Sequence, residues 1–138
     1  MAERRPNRTL GPNHDTFWEY CNHGEFRLQR CDTCERLQWP PTPMCNECLG
    51  DEFTWVPLSG RGTINTFCVF ERPYYPECPP PWEAILVELE EGPLFMSNPR
   101  GFSVLEPDIT RGTLVRAVLI DVEDEAGAFK LPVFERAP

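Results

Sequence analysis

Lysine is almost absent from this sequence. Twelve of its 13 basic side chains are arginine, Lys130 is the single lysine, and 22 acidic side chains give a formal net charge of −9. Proteins that bind nucleic-acid backbones do so largely through Lys and Arg contacts to phosphate. The charge balance therefore argues against general nucleic-acid binding. Binding of a specific anion stays open, because arginine recognises carboxylates and phosphates with two parallel hydrogen bonds.

Long apolar runs and recognisable catalytic motifs are also missing. No run approaches the about 20 residues that span a bilayer, and no apolar segment follows the charged N-terminus as in a secretory signal. We therefore predict a cytoplasmic protein with no membrane partner. The sequence has no Gly-x-Ser-x-Gly elbow and no phosphate loop, and Gly60-x-Gly62 lacks the third glycine of a dinucleotide fingerprint. Its acidic clusters are typical of solvated strand ends, so we predict no catalytic residues and no enzyme activity of the chain by itself.

Cysteine, by contrast, is abundant, and four of the seven cysteines have metal-site spacing. Cys31 and Cys34 form one Cys-x-x-Cys pair, and Cys45 and Cys48 form another after ten intervening residues. Each pair places two thiolates on one side of a tight turn, and two facing turns offer four sulfurs in the tetrahedral geometry that zinc prefers. The spacing predicts one structural zinc ion. Iron at the same ligands and a pair of redox dithiols remain alternatives.

The other three cysteines have no such spacing. We expect Cys21, in a predicted helix, and Cys68, in a predicted strand, to be buried as small apolar side chains. We expect Cys78, in a proline-rich loop, to be exposed. The two histidines, His14 and His23, both lie near the N-terminus, so the sequence offers no clear base to activate a cysteine nucleophile.

One short helix is predicted at residues 13–24. Phe17, Tyr20 and Cys21 lie at i, i+3 and i+4 and form an apolar face, for which core packing is favoured over presentation to a partner. Asn13, Asp15 or Thr16 can cap the start of the helix, Thr16 has capping-box spacing to the glutamate three positions on, and Gly24 is a natural stop. The polar residues 1–12 that precede the helix are interpreted as an arm or partner-binding tail.

The rest of the chain has the pattern of short strands. Alternating residues, with Phe26 and Leu28 on one face and Arg27 and Gln29 on the other, indicate a strand before the first cysteine pair. We predict strands at 25–30, 37–39, 53–56, 63–71, 84–90, 94–97, 113–121 and 128–134. The domain boundaries follow as an N-terminal arm and helix (1–24), a zinc ribbon (25–58) and a small barrel (59–138).

Two segments of the barrel half have a special composition. Gly60 and Gly62 predict a bulge or a close backbone approach that lets a strand bend. Residues 73–82 contain five prolines with Tyr74, Tyr75 and Trp82. A stiff aromatic loop loses little entropy on docking, so this segment is either an interface or a flap covering one end of the barrel.

An ordered set of motifs resembles one known family, the zinc-ribbon and OB-fold proteins named domain of unknown function 35. The resemblance runs from residue 13 to residue 134, and its motifs are Phe17-Trp18, Gly24-x-Phe-x-Leu-x-x-Cys31-x-x-Cys34, Pro40-Pro41, Cys45-x-x-Cys48, Trp55, Ser59-Gly-x-Gly62-Thr63, Leu86-Val-Glu-Leu89 and Gly92. The implied fold is mainly β: an N-terminal helix, a rubredoxin-like zinc ribbon and a five-stranded OB-fold barrel. Two departures are Glu35, where the family often has glycine, and residues 98–102, which replace an aliphatic strand end.

Members of that family are non-catalytic partners of thiolase-superfamily enzymes, so the resemblance implies a zinc-binding accessory subunit in a hetero-oligomer. The partner would be an acyltransferase or a retro-aldolase acting on acyl-CoA thioesters, and residues 81–93 are most similar to members paired with steroid side-chain aldolases. A contact of this chain with CoA or acyl-CoA is also implied. Candidate residues for partner or CoA binding are Phe17, Trp18, Arg61, Tyr74, Tyr75, Trp82 and Arg100.

Two other classes of function stay open at this point. An OB-fold could bind nucleic acid by stacking bases on Phe67, Phe70, Tyr74 and Tyr75, although 13 cations against 22 acids make a basic groove hard to assemble. The chain could also be a free-standing redox enzyme that uses its dithiols. A lack of single-stranded nucleic-acid binding at low salt would exclude the first option. About one zinc per chain without thiol turnover would exclude the second.

Overall fold

A computed structural model describes residues 3–138, which form nine strands and one helix. The elements are β1 (Glu3–Arg4), α1 (Asp15–Asn22), β2 (Arg27–Cys31), β3 (Leu37–Gln38), β4 (Phe53–Pro57), β5 (Arg61–Phe70), β6 (Trp82–Leu89), β7 (Leu94–Ser97), β8 (Leu114–Asp124) and β9 (Gly127–Arg136). The mainly β class is confirmed, and β7 matches its predicted bounds. Within residues 3–138, no helix has the length and apolar character needed to cross a membrane.

The three short strands of the cysteine-rich region form a separate antiparallel sheet in the order β3-β2-β4. The central strand β2 pairs along its whole length with β4, for example Gln29 with Trp55. The predicted alternation of β2 is wrong at Gln29, whose side chain is buried. Its amide nitrogen donates to the Thr42 carbonyl and its amide oxygen accepts from the Thr42 N–H, so both polar ends are satisfied.

The larger sheet has the order β1-β8-β5-β6-β7. Strands β5 and β1 pair with the beginning and the end of β8 along one of its edges, and β9 pairs with the opposite edge. Gly62 lies in β5, where a Cβ atom would come within 2.6 Å of Val87 Cγ1 and 2.7 Å of the Glu88 carbonyl oxygen. The predicted close approach at Gly62 is therefore confirmed. The register shift that marks the bulge lies slightly further on, between Ile64 and Thr66.

The free edge of β7 continues toward β9 and brings the two ends of this sheet together. The Phe134 N–H donates to the Asn98 carbonyl at 3.2 Å, and the Arg100 N–H donates to the Phe134 carbonyl at 2.7 Å. These bonds use residues just beyond β7, where the sequence departs from the aliphatic pattern expected of a strand end. The five strands β5–β9 thus wrap around one core.

The N-terminal segment that was interpreted as an arm or partner-binding tail packs against the barrel over residues 3–8; Met1 and Ala2 lie outside the described residues. Strand β1 pairs in parallel with β8, with Glu3 opposite Val122. The Arg5 side chain is only 8% exposed, and its Nε and Nη1 donate to Glu3 and Asn98 at 2.7 Å each. Arg5 therefore binds this chain's own acidic and amide groups.

A single hydrophobic cluster joins the helix, the ribbon and the barrel. Phe17 of α1 is fully buried, and its ring centroid lies 4.6 Å from that of Trp39 in the ribbon. Trp39 lies 4.5 Å from Phe95 of β7 by the same measure. Cys21 is buried in this cluster, as predicted. Because the ribbon and the barrel share these side chains, their apolar surfaces stabilise one another.

Three further local predictions have mixed outcomes. The helix begins at Asp15 after His14, without any side-chain cap, so the predicted capping box at Thr16 is wrong. The predicted stop is confirmed, since Gly24 has φ +82° and donates its N–H to the Cys21 carbonyl. Cys68 is exposed and Cys78 is buried, the reverse of the expectation. Cys68 lies where β5 extends beyond the core, whereas Cys78 lies in a loop that folds down onto the barrel.

Candidate metal centre and aromatic cavity

The four cysteines of the two Cys-x-x-Cys pairs meet at one point. Their Sγ atoms all lie within 4.8 Å of one another, with Cys31–Cys48 at 3.5 Å and Cys34–Cys45 at 3.6 Å. A tetrahedron with Zn–S bonds of about 2.3 Å has sulfur–sulfur edges of about 3.8 Å, so the cluster fits one zinc ion. All four positions of such a tetrahedron are filled by protein sulfurs, which is the arrangement of a structural site.

The two turns that carry these cysteines have equivalent backbones. The Glu35 N–H donates to the Cys31 carbonyl at 2.8 Å, and the Leu49 N–H donates to the Cys45 carbonyl at 3.0 Å. Glu35 and Leu49 have φ of 67° and 64°. The left-handed conformation that favours glycine is thus kept at Glu35.

Neighbouring N–H groups stabilise the thiolate form of Cys45. The Glu47 backbone N–H and the Gln38 side-chain amide each lie 3.4 Å from Cys45 Sγ. Backbone hydrogen bonds from Cys48 and Glu47 lower the pKa of Cys45 to about 6. Gly50 gives the cluster room, because a Cβ there would lie 3.3 Å from Cys48 Sγ. Amide donors around the sulfurs and a fitted backbone are what a thiolate–zinc site requires.

A second feature, which we call the aromatic cavity, lies between the N-terminal segment, α1, the proline-rich loop and the strands β6, β7 and β9. Its volume is about 580 Å³. The cavity is lined by Arg5, Pro6, Arg8, Phe17, Trp18, Trp39, Phe70, Arg72, Tyr74, Tyr75, Cys78, Trp82, Ala84, Phe95, Met96, Ser97, Asn98, Phe129, Leu131 and Pro132. This volume falls in the range of pockets for drug-sized ligands, about 300–1,000 Å³.

Five of the seven residues proposed for partner or CoA binding line this cavity. Phe17 is fully buried at its inner wall, and Trp18 donates its indole N–H to the Thr9 carbonyl. Tyr74 and Tyr75 are exposed at the rim, by 70% and 55%. Trp82 contacts the Arg5 guanidinium. The proline-rich loop therefore borders a cavity, in keeping with the flap interpretation, and still presents two tyrosines to solvent.

The two arginines of that set lie elsewhere and already have acidic partners. Arg61 pairs with Glu90 at 2.8 Å, and Arg100 pairs with Glu3 at 3.1 Å. Sequence reasoning missed Arg5 and Arg8, which line the cavity. Their signal was present as a cluster of arginines in residues 1–12, but nothing local showed that this segment would fold back onto the barrel.

The structure therefore defines a class of protein: a rubredoxin-like zinc ribbon packed through a shared core against an OB-fold barrel. Comparison with known families identifies both halves. Residues 18–54 match the family described as ChsH2, rubredoxin-like zinc ribbon domain, and residues 55–120 match ChsH2, C-terminal OB-fold domain. The chain belongs to the ChsH2 family of domain of unknown function 35 proteins.

Three curated relatives are similar in sequence. A probable enoyl-CoA hydratase alpha subunit of Thermomonospora curvata is 28% identical over 96% of this chain. The 3-oxo-4,17-pregnadiene-20-carboxyl-CoA hydratase alpha subunit of Mycobacterium tuberculosis is 35% identical over 78%. Benzoylsuccinyl-CoA thiolase subunit BbsA of Thauera aromatica is 34% identical over 49%. The chain spans 40%, 34% and 53% of the lengths of these relatives.

Two solved structures share the fold. A chain of the structure titled Ltp2-ChsH2(DUF35) aldolase superposes with a TM-score of 0.81 and 26% identity, covering 96% of this chain and all of the other. A protein of unknown function from the DUF35 family of Sulfolobus solfataricus has a TM-score of 0.61 at 12% identity, covering 93% of this chain and 87% of the other.

Proposed function

We propose that this chain is a non-catalytic accessory subunit that assembles with a thiolase-superfamily enzyme, an acyltransferase or a retro-aldolase. The complex would act in the cytoplasm on acyl-CoA thioesters of lipid or steroid side-chain degradation. The chain supplies a rigid zinc-stabilised scaffold and a surface for the partner, and the partner supplies the catalytic residues.

The observation that carries this proposal is the likeness to a complete chain of the Ltp2-ChsH2(DUF35) aldolase, with a TM-score of 0.81 over 96% of this chain. At 26% identity the likeness extends to sequence as well as fold. The relatives' names support the same reading, since each describes a subunit of an enzyme that acts on a CoA thioester. One of them is a thiolase subunit.

The chemistry of the described residues is in keeping with a supporting role. The four protein sulfurs leave no open position for a substrate on the zinc, so the metal would stabilise the fold and take no part in a reaction. Exposed aromatic and aliphatic side chains provide apolar contact area for a partner, and two of the most exposed, Tyr74 and Met96, both border the aromatic cavity. Aromatic residues and methionine are enriched at protein interfaces.

Contact with acyl-CoA is part of the proposal. An acyl-CoA carried by the partner would meet this chain at its exposed aromatic residues, with surface arginines near the CoA phosphates.

The cytoplasmic location is supported by the cysteines. None of the seven, which all lie within residues 3–138, forms a disulfide, and this suits a compartment that keeps thiols reduced.

Co-purification tests the assembly. The chain and a thiolase-superfamily protein from the same genome are produced together, with an affinity tag on this chain alone, and complexes are separated by gel filtration. We expect the two proteins to co-elute and the partner alone to show lower stability or lower acyl-CoA turnover. A double Tyr74→Ala, Tyr75→Ala variant should weaken co-elution, whereas Arg36→Ala, an exposed change on the zinc ribbon, should not.

Two results would contradict the proposal. Turnover of acyl-CoA by the purified chain alone would mean that it is itself an enzyme. Retention of single-stranded DNA or RNA on a filter at low salt, without complex formation with any thiolase-superfamily protein, would favour the nucleic-acid alternative.

A further inference from the structure

The charged side chains that line the aromatic cavity have the opposite sign to the net charge of the chain. The chain has 22 acidic and 13 basic side chains, yet among residues 3–138 three arginines and no aspartate or glutamate line the cavity. The remaining lining is mostly aromatic or aliphatic, with tryptophan rings from α1, the ribbon and β6. A pocket with apolar walls and a few cationic groups selects an apolar ligand that carries a negative charge.

The three arginines differ in how far their charge is already neutralised. Arg5 is bonded to Glu3 and Asn98 at 2.7 Å each and is therefore satisfied within the fold. Arg72 is exposed and makes no ion pair within residues 3–138. Arg8 lies between these two, because it is nearly buried and pairs with Asp124 at a longer distance.

The Arg8 guanidinium is ion-paired with the buried Asp124 carboxylate, but its Nε and Nη1 make no hydrogen bond within residues 3–138. Its side chain is 11% exposed, its Cζ lies 4.1 Å from the ring centroid of Phe129, and its Nη1 is 3.8 Å from Asp124 Oδ1, beyond hydrogen-bond length. Its Nε and Nη1 are buried without any acceptor. Buried charged donors without an acceptor are rare in folded proteins because leaving them unpaired is unfavourable. Arg8 also lines the cavity, so a modest turn of its side chain toward a bound anionic group would give these nitrogens an acceptor.

We propose that the aromatic cavity binds a ring-containing apolar carboxylate, with its rings against the aromatic walls and its carboxylate beside Arg8 and Arg72. Flat rings suit this cavity because tryptophan, tyrosine and phenylalanine stack on them in offset or edge-to-face arrangements. A carboxylate suits the arginines because the planar guanidinium matches its two oxygens. The proposal goes beyond the accessory role and does not depend on it, since the cavity lies within this chain alone.

A matched pair of fluorescent probes tests the proposal. 1-Pyrenebutyrate and 1-pyrenebutanol have the same ring system and the same chain length, but only the first carries a carboxylate. Binding to the purified zinc-loaded chain is followed by energy transfer from tryptophan to pyrene, since Trp18, Trp39 and Trp82 line the cavity. We expect one pyrenebutyrate per chain and about tenfold weaker binding of the alcohol, the order expected for loss of a hydrogen bond to a charged group.

Variants assign the charge preference to the cavity. Arg8→Gln should bring the affinities of the two probes within about twofold of each other, and Arg72→Gln should reduce the preference for the carboxylate about threefold. Arg72→Gln is the safer variant for folding, because Arg72 is exposed. Arg111→Gln is the matched control, since Arg111 is exposed and does not line the cavity, and it should leave both affinities unchanged.

Three results would overturn the proposal. The first is no saturable binding of either probe. The second is equal affinity for the carboxylate and the alcohol in the unaltered chain, or a preference that Arg72→Gln leaves unchanged. The third is displacement of pyrenebutyrate by free CoA at comparable concentration, which would assign the cavity to the CoA handle of a thioester and not to an apolar carboxylate.

Discussion

The guanidinium of Arg5 lies over the indole ring of Trp82, with 5.0 Å between Cζ and the ring centroid. This contact joins the N-terminal segment to the first residue of β6, at the end of the proline-rich loop. Arg5 also donates to Asn98, so one side chain ties together three parts of the chain that are distant in sequence. The segment therefore forms one wall of the aromatic cavity.

Replacing Arg5 by methionine should destabilise the protein by about 3 kcal/mol, because two side-chain hydrogen bonds are lost. The change removes hydrogen bonds of a buried charged group, each of which contributes about 1.5–3 kcal/mol, and keeps most of the apolar volume. Urea unfolding measures the difference. The control is Arg4→Met, because Arg4 is exposed and its pair with Glu123 is long at 3.5 Å, so its effect should stay within about 0.5 kcal/mol. Equal effects of the two changes would mean that Arg5 does not anchor the segment.

Glu3 should make the stability of the fold depend on acid pH. Burial raises the pKa of this carboxyl, but hydrogen bonds from Arg100 and Arg5 outweigh it, and the net pKa is lowered from the ordinary 4.5. The stabilisation is complete above pH 4.5 and is lost as the pH falls through the lowered pKa, because the unfolded state then binds the proton more readily. Unfolding midpoints of the wild type should fall more steeply below pH 4.5 than those of Glu3→Gln. Parallel curves would contradict this.

Cys45→Ser should remove the zinc and unfold the ribbon. Binding of a structural zinc contributes about 10 kcal/mol or more, and a ribbon of three short strands has little other stabilisation. Elemental analysis should give about one zinc per chain in the wild type and far less in the variant, and the fluorescence of Trp39 and Trp55 should shift toward that of exposed indole. Cys68→Ser is the control, because Cys68 is exposed on β5. A zinc-free Cys45→Ser chain with unchanged unfolding would refute a stabilising role of the metal.

Phe17→Ala should destabilise the whole protein by about 3–5 kcal/mol, since it opens a cavity in the shared core. Tyr74→Ala removes an aromatic ring of similar size that is 70% exposed, and it should change stability by less than about 1 kcal/mol. Urea unfolding followed by tryptophan fluorescence compares them. If the ribbon and barrel signals of Phe17→Ala separate into two transitions, the shared core is weaker than its contacts indicate.

The free thiols should react in a fixed order. Burial raises the pKa of Cys21 to about 12, and burial also raises the pKa of Cys78, whereas Cys68 is exposed. Since the thiolate is the reactive form, iodoacetamide at pH 8 should modify Cys68 first in the zinc-loaded protein. Peptide mapping by mass spectrometry measures the order. Modification of Cys21 at the rate of Cys68 would show that the helix does not stay packed.

The raised pKa of Cys21 also implies that the free energy of unfolding falls as the pH rises above 9, because the thiol of the unfolded state ionises there first.

The metal site and the strands were predictable because their signals are local. Cys-x-x-Cys spacing determines which sulfurs can share a turn, and the alternation of apolar residues determines strand positions to within a few residues. The prediction of a side-chain cap at the helix start was wrong, because the Asp15 carboxylate accepts a hydrogen bond from the Gly11 N–H and the chain enters the helix through a turn.

The aromatic cavity could not be predicted, because it depends on contacts between distant segments. Arg5 lies 93 residues from Asn98, its hydrogen-bond partner, and no local pattern reveals that pairing. The burial of Cys68 and Cys78 was predicted wrongly for the same reason. A strand residue is buried only where another element covers it, and a loop residue is buried when its loop folds onto the barrel.

The tilted ring contacts of Trp39 with Phe17 and Phe95 have a consequence for the design of chimeras within this family. A ribbon taken from a relative would bring its own side chain to the position of Trp39, between Phe17 of the helix and Phe95 of β7. A chimera that joins the ribbon of one protein to the barrel of another near residue 58 would place side chains from different proteins against each other in this contact. The helix, the ribbon and β7, which contribute these three rings, should therefore be exchanged together.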